Sequence, residues 1–415
     1  MNGRPKVLIA YSHSSPLIRQ AAVALQRHGY DFVMETGFFH KPDAPLARLA
    51  SALPSPLREP LEREFARRHD PRIDPAHVRS HAASEIFSAL ANRYGPPWLG
   101  ERATIWSDRL FDWQVSRRIP DGTDIAFVQD GQSLNTLHAA RKAGILTVLN
   151  QTTGFVLKAI ETYREEARLH PEFSDSLSSH LPASSLAFMR NEVREAEQIL
   201  APSDFVRDTL LEQGVDPTRI NLLPYGVDVE RFRPGWSPDP EGRFRILYVG
   251  NVGQKKGVKY LLEAVKRLGR SDIALTLVGR LVGSGAGLSP YRSLFRHLPH
   301  VPYLQVHEMF RNADLFIYPS LHEGSAFANL EAMAAGLPVI TTRNAGSVVR
   351  DGVDGFIVPI RDPDAIAAGI EQLRRDPDRR AAMAQSARAR AEQFTWTRYG
   401  DDLDRLLRKF AGARP

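Results

Sequence analysis

The sequence predicts an α/β chain of two parallel, doubly wound domains in series, and three observations carry that prediction. Short apolar runs alternate with helix-patterned segments over residues 6–34 and again over 125–223, the pattern of β-loop-α units feeding a parallel sheet. A stretch dense in proline and glycine follows, from Pro224 to Gly242 with Pro234, Gly235, Pro238 and Pro240, the composition of a domain boundary. From Phe244 the alternation starts afresh.

Residues 6–11 read as a buried first strand. Ser15 and Pro16 supply an N-cap and a first helical position, Gly29 ends that helix, and residues 30–34 begin the second strand. Residues 40–118 break the rhythm. Segments at 57–69, 76–94 and 104–118 are amphipathic and rich in Arg and Ala, and they predict a mainly helical insertion over the end of the sheet. Alternation resumes with strand 125–129, helix 133–143, strand 146–149 and two long helices near 155–168 and 182–197. Strand 198–201, a Ser203-capped helix to 213 and strand 220–223 close the first domain. The second is expected to hold strands at 244–249, 273–278, 301–304, 314–318, 339–342 and 356–358, with a helix at 258–268. Helices at 363–375, 377–393 and about 396–410 end the chain. The domains thus fall at 1–224 and 225–395, with 396–415 as a closing helix.

At 415 residues the chain can bury more than one core. Its 43% hydrophobic and 25% charged residues are ordinary for a globular protein. With no cysteine, disulfides, thiolate metal sites and a cysteine nucleophile are excluded. That composition, with no signal-peptide core in residues 1–30 and no membrane-length apolar run, predicts a cytoplasmic protein. The net charge of +6 sits in the second half, where residues 226–415 carry 28 Lys and Arg against 21 Asp and Glu. Much of it decorates the last helices, and no basic run is interleaved with aromatics, so nucleic acid is not an expected partner. Peripheral attachment at the inner face of a membrane stays open, as does the oligomeric state.

The most informative segment runs from Leu321 to Ile340 and contains Glu323-Gly-Ser-Ala-Phe-Ala-Asn-Leu-Glu331. Glu323 falls in a loop at the carboxyl end of a strand, where open α/β sheets bind ligands. Glu331 follows about one helical turn into the next helix. The first N–H groups of that helix, at Phe327, Ala328 and Asn329, suit a phosphate. Either glutamate alone would read as a dipole-favourable surface residue; carboxylates for hydroxyls beside amides for phosphate describe a nucleotide-sugar site. The first strand of the second domain leads into Gly250-Asn-Val-Gly-Gln-Lys-Lys-Gly257, another backbone-exposing loop before a helix. Asp362-Pro-Asp364 and Asp376-Pro-Asp378 read as N-caps rather than as metal ligands, and no metal or other cofactor is expected. Gly283-Ser-Gly-Ala-Gly287 lacks the third glycine of a dinucleotide fingerprint.

The string from Leu321 to Ile340 resembles the E-x7-E signature of retaining glycosyltransferases of family 4, and the likeness extends from Pro224-Tyr-Gly-Val-Asp228 to about Ala367. The resemblance implies the GT-B fold: two Rossmann-like, doubly wound domains facing each other across a cleft, here with a helical insertion in the first. It implies that Glu323 contacts the donor sugar, Glu331 the ribose hydroxyls and Lys256 the donor diphosphate. Gly250, Asn251, Lys255, Gly279, Arg280, Gly324, Ser325, Ala326, Phe327 and Ala328 complete the expected donor site. Many relatives carry Arg where this chain has Asn251; either Lys255 compensates or stabilisation of the leaving group is weaker. On the acceptor side the candidates are His13, Ser14, Ser15, Asp130 and Asn150, with His13 placed beside Glu323 and Lys256 as a catalytic candidate. The resemblance also implies that the last helix crosses back to the first domain. The expected activity is metal-independent, retaining transfer of a hexosyl group from a nucleoside-diphosphate sugar to a saccharide or glycolipid hydroxyl, in polysaccharide or glycan assembly. A nucleotide-sugar 2-epimerase of the same fold and a non-catalytic nucleotide-sugar-binding subunit are the alternatives.

Overall fold

The computed structural model describes residues 4–13, 15–41, 55, 58, 65, 68–177, 180–235, 237–302 and 305–413. Most of the 57–69 segment and Ser14 lie outside them. Two all-parallel sheets organise the chain. The first has seven strands in the order β3-β2-β1-β4-β5-β6-β7: β1 Val7–Tyr11, β2 Phe32–Thr36, β3 Val78–Ser80, β4 Ile125–Gln129, β5 Leu146–Asn150, β6 Gln198–Ala201 and β7 Ile220–Leu222. The second has six, ordered β10-β9-β8-β11-β12-β13: β8 Phe244–Val249, β9 Ile273–Val278, β10 Phe295–Leu298, β11 Leu315–Tyr318, β12 Val339–Thr342 and β13 Gly355–Val358. Central strands such as β1, β4 and β11 are apolar on both faces because helices cover both sides. In each sheet the order reverses beside the first strand, between β1 and β4 and between β8 and β11. That reversal opens a crevice at the carboxyl ends of the strands.

Two strand expectations are corrected. The insertion is not wholly helical there, since β3 pairs with β2 in the register Met34↔Val78 before helices α2 Ala82–Tyr94 and α3 Pro97–Ser116. Of the strand expected at 301–304, residues 301–302 are not in a strand and 303–304 lie outside the described residues; the edge strand is β10, where Phe295 pairs with Leu275. Both errors fall on edge strands. β10 is a half-buried Phe-Arg-His-Leu run, without the continuous apolar face that marks a central strand.

The two cores exchange elements. Helix α5 Val156–Leu169 and the following turn belong to the first domain by sequence, yet Phe173 packs in the core of the second. There Glu166, fully buried, accepts from Gln254 Nε2 (2.6 Å), Tyr260 (2.7 Å) and Arg361 Nε (2.7 Å). In return the C-terminal helix Trp396–Gly412 sends Tyr399, Leu403, Leu407 and Phe410 into the first core, against helix α1 Pro16–Arg27. Each domain thus holds part of the other. Among the described residues, no helix is long and apolar enough to cross a membrane.

Candidate active site

The crevice of the second domain is built by two loops that leave adjacent strands. Strand β8 ends in Val249 and runs through Gly250 to a short turn carrying Lys255 and Lys256. Gly257 then enters helix α8 Val258–Leu268 with φ +69°, and a Cβ there would lie 2.0 Å from the Pro319 carbonyl oxygen. Only glycine allows that approach, and it sets Lys256 against the end of β11. Strand β11 delivers Tyr318, and a loop carries Glu323 to helix α10 Phe327–Ala334. The Leu321 N–H (3.1 Å) and the Ser320 hydroxyl (3.3 Å) donate to the Lys255 carbonyl, tying the two loops together.

Lys256 Nζ pairs with the Glu323 carboxylate, and Tyr318 donates to the same carboxylate at 3.4 Å. Burial, then the neighbouring Lys255 ammonium, pushes the Lys256 pKa down to about 7. Contact with Glu323 opposes this by favouring the charged form. Burial pushes the Glu331 pKa up to about 7, partly offset by Arg231. Phe327 and Ala328 begin α10, where no preceding turn can accept their N–H groups. The Asn329 N–H, expected to be free as well, donates to Ala326 at 3.0 Å. The Phe327 ring points to the hinge, stacked on Tyr225 at 5.1 Å and beside Trp396, so only its backbone serves the crevice.

The remaining donor-side residues frame this centre. Gly250 and Gly279 are joined through the sheet end, with the Gly250 N–H on Val278 and the Gly279 N–H on Leu298, both at 2.9 Å. Asn251 and Arg280 are exposed. Gly324, Ser325 and Ala326 are buried. Lys255 Nζ lies over the Tyr163 ring of the first domain, 5.7 Å from its centroid, so it leans toward that domain while Lys256 holds Glu323. The first domain also grips the Glu323 loop. Gly154 N–H donates to the Glu323 carbonyl (3.3 Å), and Ser203 Oγ donates to the Gly324 carbonyl (2.6 Å). A Cβ on Gly324 would lie 1.6 Å from the Thr152 carbonyl oxygen.

Acceptor-side candidates fare differently. His13 is half-exposed and meets Asp108 of α3 at 3.0 Å. Burial pulls its pKa down, but the hydrogen bond and charge of Asp108 outweigh that, so the imidazole titrates above its ordinary value. Ser12 also donates to Asp108, at 2.6 Å. Ser15 serves as the N-cap of α1, accepting from Leu17. The Asp130 carboxylate accepts from Gln151 (2.9 Å) and twice from Thr152, and burial pushes its pKa up to about 6. Asn150 is buried, and its side-chain nitrogen has no partner. Asp362 and Asp376 cap helices, accepting from Ala365 (2.8 Å) and Arg379 (2.9 Å). Sequence reasoning missed Asp108 and His322. The first lies ninety-five residues from His13 with no local signal; the second is overshadowed by its neighbour Glu323. A cavity of 540 Å³ along β8–β10, lined by Arg245, Leu275, Phe295 and Met309 among others, contains none of these groups.

Two doubly wound domains clasped at a crevice that holds a lysine, two carboxylates and a helix start define the GT-B architecture. Sucrose-phosphate synthase (tll1590) from Thermosynechococcus elongatus shares that fold at a TM-score of 0.65 and 17% identity, over 99% of this chain and 100% of that one. Anabaena Alr3699/HepE in complex with UDP-glucose does so at 0.60 and 15%, over 98% and 100%. Residues 234–390 match the family model described as Glycosyl transferases group 1. D-inositol 3-phosphate glycosyltransferase from Geodermatophilus obscurus is 35% identical over 237 residues, 51% of this chain and 52% of that protein. Its counterpart from Saccharomonospora viridis is 30% identical over 247 residues, 53% and 57%. The chain thus spans about half the length of the curated relatives it matches.

Proposed function

We propose that this protein is a retaining glycosyltransferase that moves a hexosyl group from a nucleoside-diphosphate sugar to a hydroxyl acceptor. The observation that carries the proposal is the Lys256–Glu323 pair at the strand ends, with Glu331 on the helix α10 that follows Glu323. Glu323 neutralises Lys256. An arriving diphosphate takes Lys256 and the Phe327 and Ala328 N–H groups, and that releases the Glu323 carboxylate to accept from sugar hydroxyls. Glu331 accepts from the ribose. As the bond from sugar to diphosphate breaks, negative charge grows on the leaving group, where the lysine and the helix start already point. Closure by the 151–154 loop excludes water around the reacting carbon.

UDP-glucose is the donor proposed first, because it is bound in the Anabaena neighbour of the same fold. The acceptor side is assigned to the first domain around His13 and Asp108, with saccharide, glycolipid or phosphorylated polyol hydroxyls as the candidate class. Cell-surface polysaccharide or glycan assembly at the cytoplasmic face is the proposed setting. A thermal-shift and calorimetric panel of nucleoside diphosphates and their sugars tests the donor assignment. UDP and UDP-glucose are expected to bind. Absence of binding by every nucleotide would end the proposal, and epimerised donor in the absence of acceptor would redirect it to a 2-epimerase.

A further inference from the structure

Lys255–Lys256 and His322–Glu323 are two adjacent pairs on loops that hydrogen-bond to each other. One member of each, Lys256 and Glu323, pairs in the donor crevice. The other members, Lys255 and His322, line a separate cavity of 180 Å³ walled by Phe155, Ile160, Tyr163 and Met189 of the first domain. That is ample for more than one water, which needs about 10–15 Å³.

Asp130, Gln151 and Glu192 also line it and are already hydrogen-bonded within the first domain, but two of its polar atoms are unmatched. Tyr163 Oη and His322 Nδ1 are buried without a hydrogen-bond partner, in residues only 4% and 2% exposed. Lys255 lies over the face of the Tyr163 ring there. The chemistry each can accept is fixed. Gly154 offers a carbonyl to His322 Nε2 at 2.9 Å, so Nε2 carries the proton and Nδ1 presents a lone pair. Burial pushes the His322 pKa down to about 4, which keeps the ring neutral. Lys255 only donates; Tyr163 does either. An oxyanion would suit Lys255 but confront the His322 lone pair, and an apolar molecule would satisfy neither. A hydroxyl meets both demands, accepting from Lys255 or Tyr163 while donating to His322 Nδ1. The apolar walls suit the C–H faces of a ring.

We propose that this cavity binds a neutral polyhydroxylated molecule, a sugar or cyclitol, held alongside the nucleotide-sugar donor rather than in its place. The word "alongside" rests on the donor reading of the neighbouring crevice; the ligand's chemistry does not.

The test is a saturation-transfer NMR titration of the full chain with glucose, glucose 6-phosphate, myo-inositol and glycerol, with and without UDP-glucose, and a parallel UDP titration by calorimetry. Tyr163→Phe removes only an unpartnered hydroxyl, so its melting temperature and UDP affinity should equal those of the wild type. At least one polyol should bind saturably, persist with UDP-glucose present, and bind about 3- to 10-fold more weakly to Tyr163→Phe. No saturable polyol, an unchanged affinity in the variant, displacement by UDP-glucose, or tighter binding of glucose 6-phosphate than glucose would each overturn the proposal. Failure of UDP itself to bind would instead break the donor reading and leave the polyol result standing.

Discussion

The two sides of the cleft are built on opposite principles. On the donor side every candidate group but Gly279 and Arg280 comes from two short segments, 250–257 and 318–331, that leave neighbouring strands. On the acceptor side His13 follows β1, while its partner Asp108 arrives from α3 in the insertion. Asp130 and Asn150, at comparable strand ends, are absorbed by loop hydrogen bonds and burial. A site made from contiguous loops is rigid and repeats its chemistry in its sequence. A site assembled across an insertion can be changed by redrawing that insertion, and it leaves no contiguous trace.

The contrast can be broken most forcefully at Lys256. If the donor side carries the chemistry, Lys256→Ala should cut turnover of the nucleotide sugar by about 100- to 1000-fold, with His13→Ala sparing UDP affinity. Steady-state turnover and UDP calorimetry check both, and a Lys256→Ala enzyme of near wild-type rate would refute the assignment. Next comes the contact between the two sides. Gly324→Ala drives a methyl into the Thr152 carbonyl and should cost about 2–3 kcal/mol, read by chemical denaturation. Gly412→Ala, whose Cβ meets nothing, is the matched control.

The pH profile sharpens the comparison further. Lys256 loses its charge as pH rises through about 7, later where Glu323 supports it. Glu331 gains its charge as pH rises through about 7. UDP affinity should therefore peak near neutrality and fall about 3- to 10-fold by pH 5.5 and by pH 9; a Glu331→Gln variant that keeps the acid limb would deny Glu331 its role. On the other side, Asp108→Asn should lower the His13 pKa toward or below its ordinary value without moving UDP affinity, as NMR titration of the imidazole would show. The smallest effect belongs to Asp362. Asp362→Ala should lose about 1 kcal/mol of helix capping, with turnover unaltered by the substitution or by EDTA. Loss of activity in EDTA would mean that a metal has been overlooked.

Legibility in the sequence followed the range of the interactions. Strands β1, β4 and β11 could be read because near-continuous apolar runs are forced on strands buried on both faces. Ser203, Asp362 and Asp376 could be read because a cap is a local hydrogen bond, and each accepts from a backbone N–H within three residues. Edge strands β3 and β10 escaped, since three or four half-buried residues give too little pattern. The packing of Phe173 in the second core escaped for another reason: an apolar residue in sequence carries no mark of which core it will join.

By itself the sequence determined the two doubly wound domains, the positions of Glu323, Glu331 and Lys256 at strand ends, and the family to which their spacing points. Each of these follows from periodicity, capping or backbone sterics over a dozen residues or fewer. Only the tertiary structure decided that Lys255 and Lys256 part company, that Asp108 reaches His13, and that His322 and Tyr163 enclose a second cavity with unmatched polar atoms. Those outcomes depend on which surfaces two independently wound sheets bring together, and no local term in the chain encodes that meeting.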